Sequence, residues 1–444
     1  MTLASPSPSA AVAPRAPVRP PAARVTTRSG APRLEAAKVA DGARRGANAG
    51  AVLRTLLDHG PIARSTIARI TGLSPAAVTG HCARLAELGL LRELPAPVRS
   101  NGAGRPHVPV DLDLTGHVVA AVHIAVPGIT VALLDLRGRV LERTQIPHTT
   151  LEPARVVDRA ADSLAELLAA RSGPAPAPLG IGVATGGWVD PESGTVMDHP
   201  RLGWSLVPLR DLFAARTGLP VRIDGHARSL LHGELLFGRA RRAASALHLF
   251  VGNVVDAAFA TRGEAHYGRL AQAGAVAHLP VEGGTERCNC GRAGCLEAAV
   301  SEQTLTRRAH EQGLIPEPEF LQLLEAASRG SQPAARLFVE RAGLVGRAVA
   351  SLIDVLGPEL AVVTDPALDR VPGVAAALRR AAAENVRTRC DLERTLVSGG
   401  FRGTVLETAG GAVILDALYR DPLALTEARL NSEDCNVDAL GHPR

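Results

Sequence analysis

With 444 residues, the chain is too long for one ordinary hydrophobic core, which excludes a single small module and implies two or three domains. Its net charge of +5 is unevenly spread: residues 1–110 hold 15 Lys/Arg against 5 Asp/Glu, and the rest hold 34 against 39. A basic front and a slightly acidic rear exclude a polyanion wrapped around the whole molecule and put any nucleic-acid partner at the N-terminal end.

Six cysteines are few for this length, and three of them crowd into Cys288, Cys290 and Cys295, a spacing that suits metal in a reducing compartment better than disulfides. The opening stretch has no continuous apolar run, and no later segment has the length of a membrane span. The expectation is a soluble, cytoplasmic protein without membrane contact.

In chain order, residues 1–43 are rich in Pro, Ala, Ser and Arg, a composition expected to stay a disordered basic arm because it buries too little apolar surface. Residues 44–113 are predicted to form a winged helix-turn-helix. Apolar residues fall at helical spacing from Ala51 to Leu91, and Pro and Gly punctuate Leu94 to Val110 as in a short β-wing. Ser65 is expected to N-cap one helix, Gly72 to stop it, and Ser74 with Pro75 to start the next. On that second helix Val78, Cys82, Leu85 and Leu88 repeat at three- and four-residue steps and should face the core. Ala76, Thr79, Gly80, Ala83 and Arg84 would then face outward, toward a DNA major groove. The segment Ser100-Asn-Gly-Ala-Gly-Arg-Pro106 would form the wing, with Arg105 reaching a minor groove or phosphate. The outward face is poor in Arg, Asn and Gln, the side chains that read bases in pairs of hydrogen bonds, so specificity is expected to draw on the wing and on dimeric half-site spacing. Double-stranded DNA is the expected partner, held by a homodimer or tetramer.

After Gly116 the pattern turns to strands at Val118–Ala125, Ile129–Asp135 and Arg139–Gln145, with Arg137-Gly138 as a turn. It recurs at Ala246–Val251 and Val254–Ala260 with an Arg262-Gly263 turn. Two strand-turn-strand units, each completed by helices such as Arg155–Arg171 and Pro333–Leu356, suggest a duplicated α/β domain with a ligand cleft between its lobes. The lobes are expected over 116–240 and 241–430, with a tail over 431–444.

Cys288-Asn-Cys-Gly-Arg-Ala-Gly-Cys295 brings three thiols close together, and His278 upstream completes a Cys3His set suited to tetrahedral zinc. With no position left for water, that zinc would be structural. His226, His232, His248 and His266 lack ligand spacing and are read as hydrogen-bonded or solvated. Trp188 and Trp204 suit sugar stacking and lobe packing alike.

With these motifs in hand, the chain resembles the ROK family, which groups repressors, sugar kinases and related open reading frames. The likeness runs from about residue 44 to 420 through the helix-turn-helix, Gly104-Arg105-Pro106, Gly180-Ile-Gly-Val-Ala-Thr-Gly-Gly187, Arg201-Leu-Gly-Trp204, His278 and Cys288–Glu297. It implies a two-lobed, actin-like or sugar-kinase-like (ribonuclease H-like) α/β domain behind the winged helix-turn-helix, with sugar contacts expected at Gly187, His226, His278 and Glu297.

Each part that the family's kinases need is altered here. The first phosphate loop, Asp-x-Gly-x-Thr in the family, reads His123-Ile-Ala-Val-Pro127. The second reads Gly252-Asn-Val-Val-Asp-Ala-Ala258, with Asp256 expected near a polyphosphate and repelling it. The family's Glu-Asn-Asp falls on Asp224, Gly225 and His226, its Glu-x-Gly-His on Ala275-Val-Ala-His278, and the adenosine-side Gly-Gly on Leu360–Pro366. No ATP binding and no catalysis are expected. The expected function is a transcriptional repressor whose kinase-like domain serves oligomerisation and senses a sugar or sugar derivative. A DNA-binding protein using that domain only as a dimerisation scaffold, and a sugar kinase carrying a DNA-binding arm, stand as the other readings.

Overall fold

The computed structural model describes residues 33–95, 108–171 and 177–439. The first helix, Arg33–His59, begins inside the stretch expected to be a disordered arm, while the compact unit begins at Arg44. Val52, Leu53, Leu56 and Leu57 bury one face of this helix. Ala-, Arg- and Lys-rich sequence before them has the propensity to extend a helix once it is nucleated.

Strand Ile62–Ala63 pairs with the central strand Pro109–Leu112, whose other neighbour is Leu91–Glu93. Because Ala63 is held extended by that pairing, the second helix starts at Arg64, and Ala63 is its N-cap without a side-chain bond. Ser65 therefore lies inside the helix, exposed, and not at its cap. Gly72 closes the helix with φ +70°, and Ser74 Oγ accepts from the Ala77 amide at 3.2 Å to start helix Pro75–Glu87. The wing residues 100–106, Arg105 among them, lie outside the described residues.

Two five-stranded sheets follow, and they share one order. In the first, His117–Ile124, Gly128–Leu134 and Val140–Pro147 run as an antiparallel meander, and Ala177–Thr185 and Val221–Gly225 add in parallel on the other side. In the second, Ser245–Val251, Val255–Thr261 and Glu264–Ala265 form the meander, and Leu360–Thr364 and Leu396–Ser398 are the parallel additions. Arg262 and Gly263 both have positive φ, at 53° and 79°, the conformation that a tight hairpin turn between twisted strands favours. The expected duplication is present, with strand ends shifted by a residue or two.

The division of the lobes is not linear in sequence. Helix Val405–Arg420 leaves the second sheet and packs across the first, so the expected second lobe at 241–430 ends before this helix. Small residues cause the crossing. A Cβ at Gly182 would strike the carbonyl oxygen of Gly410, and one at Gly410 would lie 2.8 Å from the backbone N and O of Val122. The same helix meets the N-terminal module, where a Cβ at Gly50 would lie 2.6 Å from the Tyr419 and Arg420 carbonyls, and Tyr419 Oη donates to the Leu136 carbonyl of the first lobe at 2.6 Å. One hydrophobic cluster accordingly joins Leu53, Ile67, Val78 and Leu85 to Val119, Leu134, Ile414 and Leu418.

From Arg44 onward the described chain is one compact unit, and no helix among the described residues is long and apolar enough to cross a membrane. Gly182→Ala should lower the unfolding free energy by about 1–3 kcal/mol, the usual cost of overpacking. A urea midpoint equal to that of the parent chain would show that the helix is not seated on this strand.

Candidate functional site

Between the lobes lies a cavity of about 520 Å³. Its floor comes from strand ends and the segments after them: His123–Pro127 from the first sheet, Phe250 to Val254 and Val363–Pro366 from the second, and Ser398 onward to Glu407 at the start of the crossing helix. His226 enters as the first residue of helix His226–Leu236, directly after strand Val221–Gly225.

His123 Nε2 contacts His226 Nδ1, and the His226 ring lies against Phe250 with centroids 3.9 Å apart. Burial lowers both imidazoles, His123 to about 3 and His226 well below its ordinary value, and His248 behind them is also lowered to about 3. All three are neutral at physiological pH. The outer nitrogens, His123 Nδ1 and His226 Nε2, have no hydrogen-bond partner.

Beside His226, the side chains of the same strand and helix are engaged in internal ion pairs. Asp224 Oδ1 accepts from Arg228 Nε at 2.6 Å, and Arg228 spends its remaining nitrogens on the carbonyls of Ala271 (3.0 Å) and Val189 (2.9 Å). His232 sits between Asp224 (3.6 Å) and Asp416 (3.2 Å), and Arg420 continues the chain to Asp416 (2.6 Å) and Glu264 (2.5 Å). The Arg228 guanidinium acts from four residues along on Asp224, a spacing that sequence alone offers as a signal; the partner Asp416 it does not.

Of the four expected sugar contacts, only His226 lines the cavity. Gly187 makes a tight turn with φ +76° against Asp198. Glu297 is held by Arg201 at 3.6 Å and by the Val255 amide at 3.1 Å, and His278 faces Cys288. Asp256, expected beside a polyphosphate, interacts with Arg228, Asp224 and Glu297 and is not among the cavity-lining residues, so the repulsion argument built on it fails. Among the carboxylates that do line the cavity is Glu302, raised to about 7 by burial and hydrogen-bonded by Asn253 Nδ2 at 2.8 Å. A glycine pair exists at Gly399-Gly400, but Glu234 Oε1 already takes the Gly400 amide at 2.7 Å. Trp204 is buried in the first lobe and Trp188 donates to the Leu270 carbonyl at 2.7 Å; neither lines the cavity.

At the other end of the molecule, Val78, Cys82 and Leu85 are fully buried while Ala76, Thr79, Gly80, Ala83 and Arg84 are exposed together on helix Pro75–Glu87. Leu88, expected in the core, is only half-buried because it caps the helix. Arg84 pairs loosely with Glu87 at 3.2 Å on the open surface.

In the second lobe, one ligand atom from each of His278, Cys288, Cys290 and Cys295 lies within 4.8 Å of the others. Cys288 Sγ is 3.5 Å from His278 Nδ1, and Cys290 Sγ is 3.6 Å from Cys295 Sγ. Four donors around one ion at about 2.0–2.3 Å stand at roughly such separations, so the donor set fits a metal ion. Gly291 and Gly294, with φ +87° and +75°, let the loop fold back on itself.

The ROK family model matches residues 119–396, more than half of the chain. The chain belongs to the ROK family. It is 32% identical over 394 residues to the transcriptional regulator Mb0495 of Mycobacterium bovis, covering 84% of this chain and 86% of that one. It is 28% identical over 329 residues to the xylose repressor of Caldicellulosiruptor bescii, covering 71% and 82%. Among solved structures, a ROK family transcriptional regulator described as a homologue of the E. coli MLC protein superposes with a TM-score of 0.72 at 23% identity, over 87% of this chain and 99% of that one. This ROK protein is a transcriptional regulator.

The buried ion chain of the ROK regulator has a pH signature. Burial opposes charge on His232, but Asp416 and Asp224 outweigh it and push the imidazole up to about 10. A folded pKa above the unfolded value of about 6.5 gives stability that is complete below that value and is lost as pH rises through the folded one. Unfolding free energy should therefore fall by up to about 1.4 kcal/mol per pH unit between pH 7 and 10, and His232→Gln should flatten this slope. Denaturant titrations with the same slope in both proteins would contradict the assignment.

Proposed function

We propose that this ROK regulator is a DNA-binding repressor in which residues 44–113 form a winged helix-turn-helix and the kinase-like lobes bind a small effector without transferring phosphate. The observation that carries the reading is the exposed face of helix Pro75–Glu87, set by the Gly72 turn on a module carrying excess positive charge. Small Ala76, Gly80 and Ala83 let the helix approach a groove closely, Thr79 offers a hydroxyl, Arg84 and Arg105 reach phosphates, and Ser74 and Ser65 flank the turn. A cytoplasmic homodimer or tetramer would present two such helices to paired half-sites.

Non-catalysis is supported by the first loop, where Pro127 has no amide hydrogen and His123 no charge for magnesium, and by His226, a neutral imidazole where the family has an Asp. A sugar or sugar derivative is the effector class that the family resemblance and the name of the xylose repressor suggest. His278, Cys288, Cys290 and Cys295 would hold a structural zinc that ties residues 278–295 into one folded loop.

Gly80→Glu tests the DNA face without disturbing the fold, because a Cβ there meets nothing within 4 Å. It should weaken operator binding at least tenfold by adding negative charge and bulk at the groove, with an unchanged melting midpoint; unchanged affinity would place the interface elsewhere. Arg84→Ala with Arg105→Ala should reduce the slope of log affinity against log salt by about 2. The same protein should consume no ATP with any hexose. Metal analysis should find one zinc per chain, lost in Cys290→Ser together with thermal stability, and a metal-free native protein of equal stability would refute the zinc reading.

A further inference from the structure

The cavity sits in the half of the cleft where the altered phosphate and adenosine segments meet, and its chemistry is unlike that of a nucleotide site. Phe250, Val254, Phe320, Leu324, Phe401 and Leu406 contribute to its walls, and Leu321 joins them while 64% exposed. The charged groups of the lining are largely committed elsewhere. Asp365 pairs with buried Arg341, Asp369 with Arg402 at 2.7 Å, Glu407 with Arg143 at 2.9 Å, and Glu302 accepts from Asn253. The rest of the polar lining includes Gln145, His199, Arg370 and Ser398, together with the His123–His226 pair, whose rings are 3% and 2% exposed.

Two neutral imidazoles joined through one N–H···N bond have a fixed complement. Whichever ring donates the shared proton, one outer nitrogen carries a hydrogen and the other a lone pair. Both outer nitrogens are buried and unpartnered among the described residues, so a guest in the cavity meets uncharged imidazole rings and no ionic partner at this part of the floor. A sugar carries a hydroxyl on nearly every carbon and would leave most of them facing apolar walls.

We propose that this half of the cleft binds an uncharged, largely apolar small molecule, with the neutral His123–His226 pair forming part of the floor. The proposal rests on the reading of the cleft as a binding site without phosphoryl transfer, and it adds, in the nucleotide half, a ligand distinct from the sugar effector and from a nucleotide. The volume is that of a drug-sized ligand.

The test uses N-phenyl-1-naphthylamine, an uncharged apolar fluorophore, titrated into the purified full-length protein. Saturable binding of one dye per chain is expected, undisturbed by magnesium-ATP or glucose. Val254→Glu, which sets a carboxylate among the walls, should raise the apparent Kd about tenfold or more, since a desolvated charge opposes an apolar guest. Leu321→Glu, at an exposed position that the fold tolerates, should raise it less and serves if the melting curve shows that Val254→Glu does not fold. Absence of saturable binding, displacement by magnesium-ATP, or affinity unchanged in the folded variants would overturn the proposal. Operator binding by the parent protein is measured in parallel. Dye binding without DNA binding counts against the repressor reading and leaves the ligand class standing, and DNA binding without dye binding counts against the ligand class alone.

Discussion

The contact on which the arrangement depends is backbone against backbone. Gly182 and Gly410 leave no side chain between strand Ala177–Thr185 and helix Val405–Arg420, so the helix that ends the kinase-like portion lies directly on the first sheet. Its first turn, Val405 to Glu407, lines the interlobe cavity. Its last turn meets the first helix of the N-terminal module, where Gly50 faces the carbonyls of Tyr419 and Arg420 and Gly46 faces Asp421. Close-packed interiors do not deform smoothly, so a ligand that displaces the first turn moves a rigid rod whose other end is seated against the module. Polar contacts reinforce the seat: Arg54 donates to the Leu235 carbonyl at 2.6 Å, Arg137 to Asp111 at 2.5 Å and Arg241 to Asp58 at 2.9 Å. Such coupling regulates DNA affinity only if the effector distinguishes two lobe arrangements.

Electrostatics divides the cleft. Beside His226, Asp224, Arg228, His232 and Asp416 form a largely buried chain in which each charge faces its opposite, with exposed Arg420 at its outer end, and carboxylates there are held down, Asp416 to about 2, because a cation is adjacent. Removing one member would leave an uncompensated buried charge, which costs about 3–5 kcal/mol. On the nucleotide side, burial without a counter-charge keeps His123, His226 and His248 neutral. The same physical effect, desolvation, thus has opposite outcomes in neighbouring places, and the difference is whether an ion of the other sign lies within reach.

Much of the molecule was legible in the sequence, for local reasons. The Gly72 turn, the Ser74-Pro75 start and the buried stripe of Val78, Cys82 and Leu85 depend on residues within a few positions of one another, as do the hairpin at Arg262-Gly263 and the thiol cluster at Cys288–Cys295. The ROK resemblance and the erosion of the phosphate loops belong to the same level, since a missing glycine or acid can be seen without coordinates. Ser65 failed as a cap because strand pairing with Pro109, distant in sequence, set where the helix begins. Asp256 failed because Arg228, Asp224 and Glu297 surround it and it takes no place in the cavity wall.

By itself, then, the sequence determined the two kinds of domain, the turn chemistry and the donor set for a metal, because these follow from short-range periodicity, capping and ligand spacing. Only the tertiary structure decided that the crossing helix returns to the first lobe, that Arg228 bonds to the Ala271 carbonyl, and that His123 meets His226 across 103 positions of chain. Those facts depend on which surfaces a close-packed interior brings together, and that depends on long-range packing that no local spacing encodes.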